Sequence, residues 1–211
     1  MLFDAKIEAY CQQFTSPLDT LREEVAMFTE ANHPHAHMMS SRLQGKLLEI
    51  FSILAAPSKI LEIGTFTGFS ALCLAAGLRE SGKLYTIELR EEDARTAKGF
   101  FDRSNFAEKI ILHTGNALDI IPQLHENWDL VFIDADKTGY LAYYNLILPN
   151  VKGGGLVIAD NVLFHGEVLE EPVKGKNAKA ISEFNSHVMN DPRVEQVLLP
   201  IRDGLMLIRK K

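Results

Sequence analysis

From residue 59 to the C-terminus, short apolar runs of strand length alternate with segments of helical spacing. That alternation leaves few folds open. The runs at 59–63, 110–113, 130–133 and 155–159 are rich in Val, Ile, Leu and Phe, the pattern of strands buried on both faces, and 83–88 is a more mixed run that reads as the next strand. Between the first three, residues 70–78 and 90–101 have helical spacing. Strand, helix, strand in succession predicts a mainly parallel sheet covered by helices. Two further β runs, 195–199 and 205–208, are joined by a short segment containing Pro200 and Gly204, which predicts a closing antiparallel hairpin.

The first 57 residues follow a different pattern. Ser16, Pro17 and Asp19 open a segment reaching Asn32 in which Leu21, Val25 and Phe28 recur at helical spacing, and a second helix over 44–54 is ended by Pro57. We therefore expect one domain over 1–211, with a helical N-terminal cap (1–57) on a sheet-bearing core (58–211). A chain of 211 residues with 46% hydrophobic content can build one full core. Its formal charge of −6 argues against general affinity for nucleic acid or anionic membranes. No apolar run approaches the roughly 18 residues of a membrane span, and the N-terminus lacks the basic and apolar regions of a signal peptide. A cytoplasmic location is the expectation, with Cys11 and Cys73 as free thiols.

In sheets of this kind ligands gather beyond the C-terminal strand ends, and the polar residues lie there. The first strand closes on Glu62, Ile63 and Gly64 and runs through Thr65, Phe66, Thr67 and Gly68 to Ser70. Glycine lets backbone approach a ligand closely. The spacing is G-x-x-x-G rather than G-x-G-x-x-G, so the loop need not cradle a pyrophosphate. Glu88 ends the second strand, where a carboxylate can accept two ribose hydroxyls, and Gly115, Asn116 and Ala117 follow the third. Together they suit an adenosine cofactor without phosphates; the alternative is a plain tight turn beside a solvated glutamate.

The fourth strand ends in Asp134, Ala135, Asp136 and Lys137, and the fifth in Asp160 and Asn161. If those strands are neighbours, two carboxylates and an amide meet, a donor set suited to a hard divalent cation. The alternative is that these residues only cap the helices that follow. Lys137, three residues beyond Asp134, reads either as a general base whose ammonium is disfavoured in a pocket beside a cation or as a surface lysine.

In this order, these residues resemble the cation-dependent O-methyltransferases of the caffeoyl-CoA and catechol type. The likeness runs through QGKLL (44–48), LEIGTFTGFS (61–70), VFIDADKTGYLAYY (131–144), GGGLVIADNVLFHGEV (153–168), EFNSHVMNDPRVE (183–195) and IRDGLMLIRK (201–210). It implies a Rossmann-like S-adenosylmethionine-dependent methyltransferase fold. That fold has a mainly parallel seven-stranded sheet with an antiparallel C-terminal strand, helices on both faces and extra N-terminal helices. It implies S-adenosylmethionine as cofactor and a divalent cation, Mg2+ foremost with Ca2+ or Mn2+ as alternatives. Asp134, Asp160 and Asn161 would hold the metal, and Lys137 would be the base. Ser40, Glu62, Gly64, Ser70, Glu88, Ala117, Asp134 and Asp136 would line the cofactor site. Ser40, Lys137, Asp160, Asn161, Phe164 and Asp203 would face a phenolic small-molecule substrate, with Tyr143 or Tyr144 packed nearby. A homodimer is the family expectation. Ala135 and Asp136 match the caffeoyl-CoA branch. The 167–177 stretch, with Lys174 and Lys176, lacks the arginine-bearing insertion used on CoA, which favours a small catechol- or flavonoid-like acceptor.

Other features are set aside. His33, His35 and His37 form a loop cluster with no evident carboxylate partner, Trp128 is expected to pack, and the 209–211 tail is expected to be solvated. An NAD-dependent oxidoreductase lacks its third glycine here, hydrolysis lacks a nucleophile elbow, and a non-catalytic binding protein would not need every ligand retained.

Overall fold

The computed structural model describes residues 5–211. They divide into two compact units, one ending at Ala117 and the other running from Leu118 to Lys211. The described residues contain seven strands, mainly parallel, with antiparallel pairing at the C-terminal strands. None of their helices is long and apolar enough to cross a membrane.

The first unit begins with three helices, α1 (Ala5–Gln13), α2 (Thr20–Asn32) and α3 (Arg42–Ala55). Asp19 caps α2 by accepting from the Arg22 amide at 2.9 Å, and Ser41 caps α3. The buried face of α2 is Arg22, Val25, Ala26 and Thr29. Phe28, on the same helical repeat as Val25, is 41% exposed and packs edge-on against Phe100. The buried face also takes in Arg22, which pairs with Glu49 on α3.

Strands β1 (Lys59–Ile63), β2 (Lys83–Glu88) and β3 (Ile110–Thr114) pair in parallel in the order β3-β2-β1. They are connected through α4 (Phe69–Ala75) and α5 (Glu91–Phe101). Gly45 of α3 has a packing role. A Cβ there would stand 2.6 Å from the Phe69 ring and 3.1 Å from the Cys73 sulfur, so α3 lies close on α4 because the side chain is absent. Cys73 is fully buried, and both cysteines are free thiols.

The second unit holds β4 (Trp128–Ile133), β5 (Val151–Asp160), β6 (Val194–Leu199) and β7 (Leu205–Lys210). The short helix α6 (Ala117–Ile120) precedes them, and α7 (Tyr140–Ile147) and α8 (Lys176–Met189) lie between. β4 pairs with β5 in parallel; β7 pairs antiparallel with both β5 and β6, completing the expected hairpin. Strand β5 starts earlier than its apolar pattern suggests, at Val151, and runs on through the glycines at 153–155. The C-terminal lysines correct the expectation of a solvated tail. Lys210 donates to the carbonyls of Leu148 (2.8 Å) and Val151 (2.7 Å), and Lys211 to that of Pro192 (3.0 Å). Orphan carbonyls at the ends of other elements attract them.

Candidate active site

The loop after β1 is held in left-handed conformations at Gly64 (φ 100°), Phe66 (φ 51°) and Gly68 (φ 92°). Side-chain hydroxyls hold it there. Parallel register sets Glu62 beside Thr86. The Thr86 hydroxyl donates to Glu62 Oε2 and the Ser70 hydroxyl to Glu62 Oε1 (2.6 Å). Because Thr86 has spent its proton, the Thr65 hydroxyl donates to Thr86 Oγ1. Thr67 bonds Thr29 of α2 at 2.8 Å. Glu62 is fully buried, so it braces the loop from beneath.

Glu88, 6% exposed, accepts from the Phe66 amide at 2.7 Å and from the Arg90 amide at 3.0 Å. A carboxylate with two fixed donors still offers lone pairs to a ligand hydroxyl. The Phe66 ring lies between the edge of His33 (4.4 Å between centroids) and the Arg90 guanidinium (5.6 Å). His33 does have a carboxylate partner, Asp93, at 3.0 Å, and its Nδ1 accepts from the His35 amide. The sequence hides that partner because Asp93 comes from α5, far along the chain. With both ring nitrogens engaged, His33 braces the glycine loop. Ser40 is buried at 4% exposure, and Ala117 at 7%, on the first turn of α6.

In the second unit the last aligned residues of β4 and β5 are Ile133 and Ala159, so Asp134 directly follows β4 and Asp160 is the last residue of β5. Lys137 Nζ stands 3.0 Å from Asp134 Oδ1 and 2.8 Å from the Tyr140 hydroxyl. That hydroxyl lies 3.0 Å from the Asp160 carbonyl and 3.3 Å from the Ile133 carbonyl. Tyr140 thus ties both strand ends to the lysine, a role that no sequence motif announced. Burial alone would lower the Lys137 pKa, but the Tyr140 oxygen and the carboxylates of Asp134 and Asp160 outweigh it, and the net shift is upward. With these carboxylates unshared, Lys137 is an ammonium.

Asn161, with φ 54°, turns its amide Nδ2 toward Asp203 Oδ2 at 3.2 Å, which directs the amide oxygen the other way. Among the described residues no three His, Cys, Asp or Glu side chains gather as a metal site. The candidate set is instead two carboxylates and an amide oxygen, all hard donors on adjacent strand ends. It fits a cation such as Mg2+, Ca2+ or Mn2+.

The remaining candidates are more scattered. Asp136 is exposed and accepts from the hydroxyls of Tyr143 and Thr138. Tyr144 is fully buried, bonded to Asp191 (3.0 Å) and edge-on to Phe184 of α8. It therefore belongs to the α7–α8 packing. Phe164 is partly exposed in a turn after β5.

The O-methyltransferase family model matches residues 12–211. This chain belongs to that family. The O-methyltransferase is 33% identical over 214 residues to the probable caffeoyl-CoA O-methyltransferase 2 of Dictyostelium discoideum, covering 99% of this chain and 93% of that one. It is likewise 33% identical to the caffeoyl-CoA O-methyltransferase 1 of Eucalyptus globulus, covering 92% of this chain and 81% of that one. Among solved structures it aligns with the Bacillus cereus O-methyltransferase in complex with SAH at 31% identity and a TM-score of 0.90, covering 98% and 97% of the two chains. The SAH-bound Podospora anserina methyltransferase aligns at 30% identity and a TM-score of 0.90, covering 98% and 94%. The O-methyltransferase is thus an enzyme of the caffeoyl-CoA type with a Rossmann-like fold.

Proposed function

We propose that this O-methyltransferase transfers a methyl group from S-adenosylmethionine to one hydroxyl of a catechol-like phenolic, assisted by a divalent cation, Mg2+ foremost. The observation that carries the reading is the convergence of Asp134, Asp160, Asn161 and Lys137 at two adjacent strand ends. The SAH-bound relatives support the cofactor, and the braced Gly64–Ser70 loop with Glu88 supplies groups suited to an adenosine. S-adenosylmethionine supplies the electrophilic methyl carbon. A divalent cation held by Asp134, Asp160 and Asn161 supplies Lewis-acid charge that acidifies a hydroxyl and orients a vicinal pair.

The chain's own groups do the rest. Glu88 accepts ribose hydroxyls. Glu62, Gly64 and Ser70 keep the loop shaped for the donor; Ser40 and Ala117 are the other donor-binding residues proposed in that unit, and Asp134 and Asp136 those proposed in the second. Lys137 Nζ, held by Tyr140, receives the acceptor's proton. A cation held by Asp134 and Asp160 would draw on the carboxylates that keep Lys137 charged, which would favour the neutral amine that accepts this proton. Phe164 packs against the acceptor ring. A homodimer and a cytoplasmic location complete the reading.

The test is mass-spectrometric detection of methylated product from catechol, caffeic acid and its CoA ester, with Mg2+ and with EDTA. Product from the free phenols that disappears with EDTA and in Asp160→Ala is expected. Undiminished turnover of Asp160→Ala in EDTA would remove the cation from the reaction.

A further inference from the structure

The segment that follows β5 is built from conformations L-residues rarely adopt. Asn161 (φ 54°), Phe164 (φ 42°) and His165 (φ 56°) are all left-handed. Such a run persists only where its surroundings over-determine it. The surroundings are the tip of the β6–β7 hairpin. Register places Leu205 opposite Asp160, so the hairpin tip runs alongside the residues after β5. The Val162 amide donates to the Gly204 carbonyl (3.2 Å) and the Leu163 amide to the Asp203 carbonyl (2.8 Å). Gly204 (φ 89°) permits this approach: a Cβ there would stand 2.9 Å from the Leu163 nitrogen.

Asp203 adds its side chain to this clamp. Oδ1 accepts from the His165 amide at 2.5 Å, and Oδ2 accepts from Asn161 Nδ2 at 3.2 Å. Both oxygens act as acceptors at once, which a carboxylate can do and a carboxamide cannot.

We propose that Asp203 is a positioning residue for cation binding: it holds the Asn161 amide so that Oδ1, not Nδ2, faces the cation. This differs from a direct substrate contact, and it rests on the reading that Asp134, Asp160 and Asn161 hold a divalent cation. A ligand's hydrogen-bond partner in this position contributes about 10–100-fold to metal affinity.

The test is Mn2+ binding to the full chain without cofactor or substrate, read as loss of the free Mn2+ electron paramagnetic resonance signal. Asp203→Asn must give up one of its two acceptors and is expected to bind Mn2+ about 10–100-fold more weakly. The decisive variant exchanges the pair, Asp203→Asn with Asn161→Asp. Its carboxamide accepts from His165 through oxygen and donates to the new carboxylate through nitrogen, so every bond is restored in reverse. Mn2+ affinity is expected to return to at least the wild-type level. If Asp203→Asn binds as tightly as wild type, or if the exchange binds no better than the single variant, the positioning role is overturned. Should the single variant not fold, the exchange alone decides, at wild-type affinity or not. The two readings fail separately. Mn2+ binding by wild type that is lost in Asp160→Ala but unchanged in Asp203→Asn sinks only the clamp. Absence of Mn2+ binding in wild type sinks both.

Discussion

Thr86 shows how one hydroxyl can organise a loop. It donates to Glu62 and accepts from Thr65, so the buried carboxylate and the glycine turn share one bond chain. Replacing it with the near-isosteric valine leaves Glu62 one donor short and the Thr65 hydroxyl without its acceptor. Thr86→Val is expected to cost about 1–3 kcal/mol, read by calorimetry as a fall in Tm of about 2–4 °C per kcal/mol. An unchanged Tm would mean that the loop holds its shape without the chain of hydroxyls. Lys137 is the residue whose loss separates chemistry from binding. Lys137→Met is expected to lower the methyl-transfer rate by about 10²–10⁴-fold, the usual size of a general-base contribution, with SAH affinity by calorimetry unchanged. A wild-type rate in that variant would remove it as base.

At the scale of elements, Asp191 ties α7 to the turn between α8 and β6. This carboxylate, at the limit of burial, accepts from Tyr144 and from the Arg193 side chain. The Arg193 guanidinium beside it holds its carboxyl well below the usual carboxylate range, against the opposing effect of burial. A depressed native pKa contributes stability that is present above the unfolded value of about 4 and is lost as pH falls below it. Asp191→Asn is expected to lower stability by about 1 kcal/mol at pH 7. It should also flatten the loss between neutral and acid pH, measured as urea midpoints. Equal acid sensitivity in both proteins would place the pH-linked stability elsewhere. The brace formed by His33 and Asp93 belongs to the same scale. Histidines at spacing two look like a surface cluster in the sequence, and only the packing of α2 and α5 gives His33 its carboxylate and its contact with Phe66.

For the whole molecule, ligands that bind the native state alone raise its stability by mass action. Saturation to about a hundredfold over Kd adds about 2.7 kcal/mol. SAH and Mg2+ are each expected to raise Tm, whereas NADH is expected to leave it unchanged. A shift with NADH and none with SAH would return the chain to the dinucleotide-binding class. The sequence by itself determined the strand order along the chain, the parallel class, the closing hairpin and the residues at the strand ends, because period and composition are local properties that survive without coordinates. The tertiary structure decided what those residues do together. Glu62 is a buried brace, Tyr140 joins two strand ends to Lys137, His33 has a partner in α5, and Asp203 turns an amide. Each of these depends on a contact between segments distant in sequence, and no local pattern encodes which distant donor meets which acceptor.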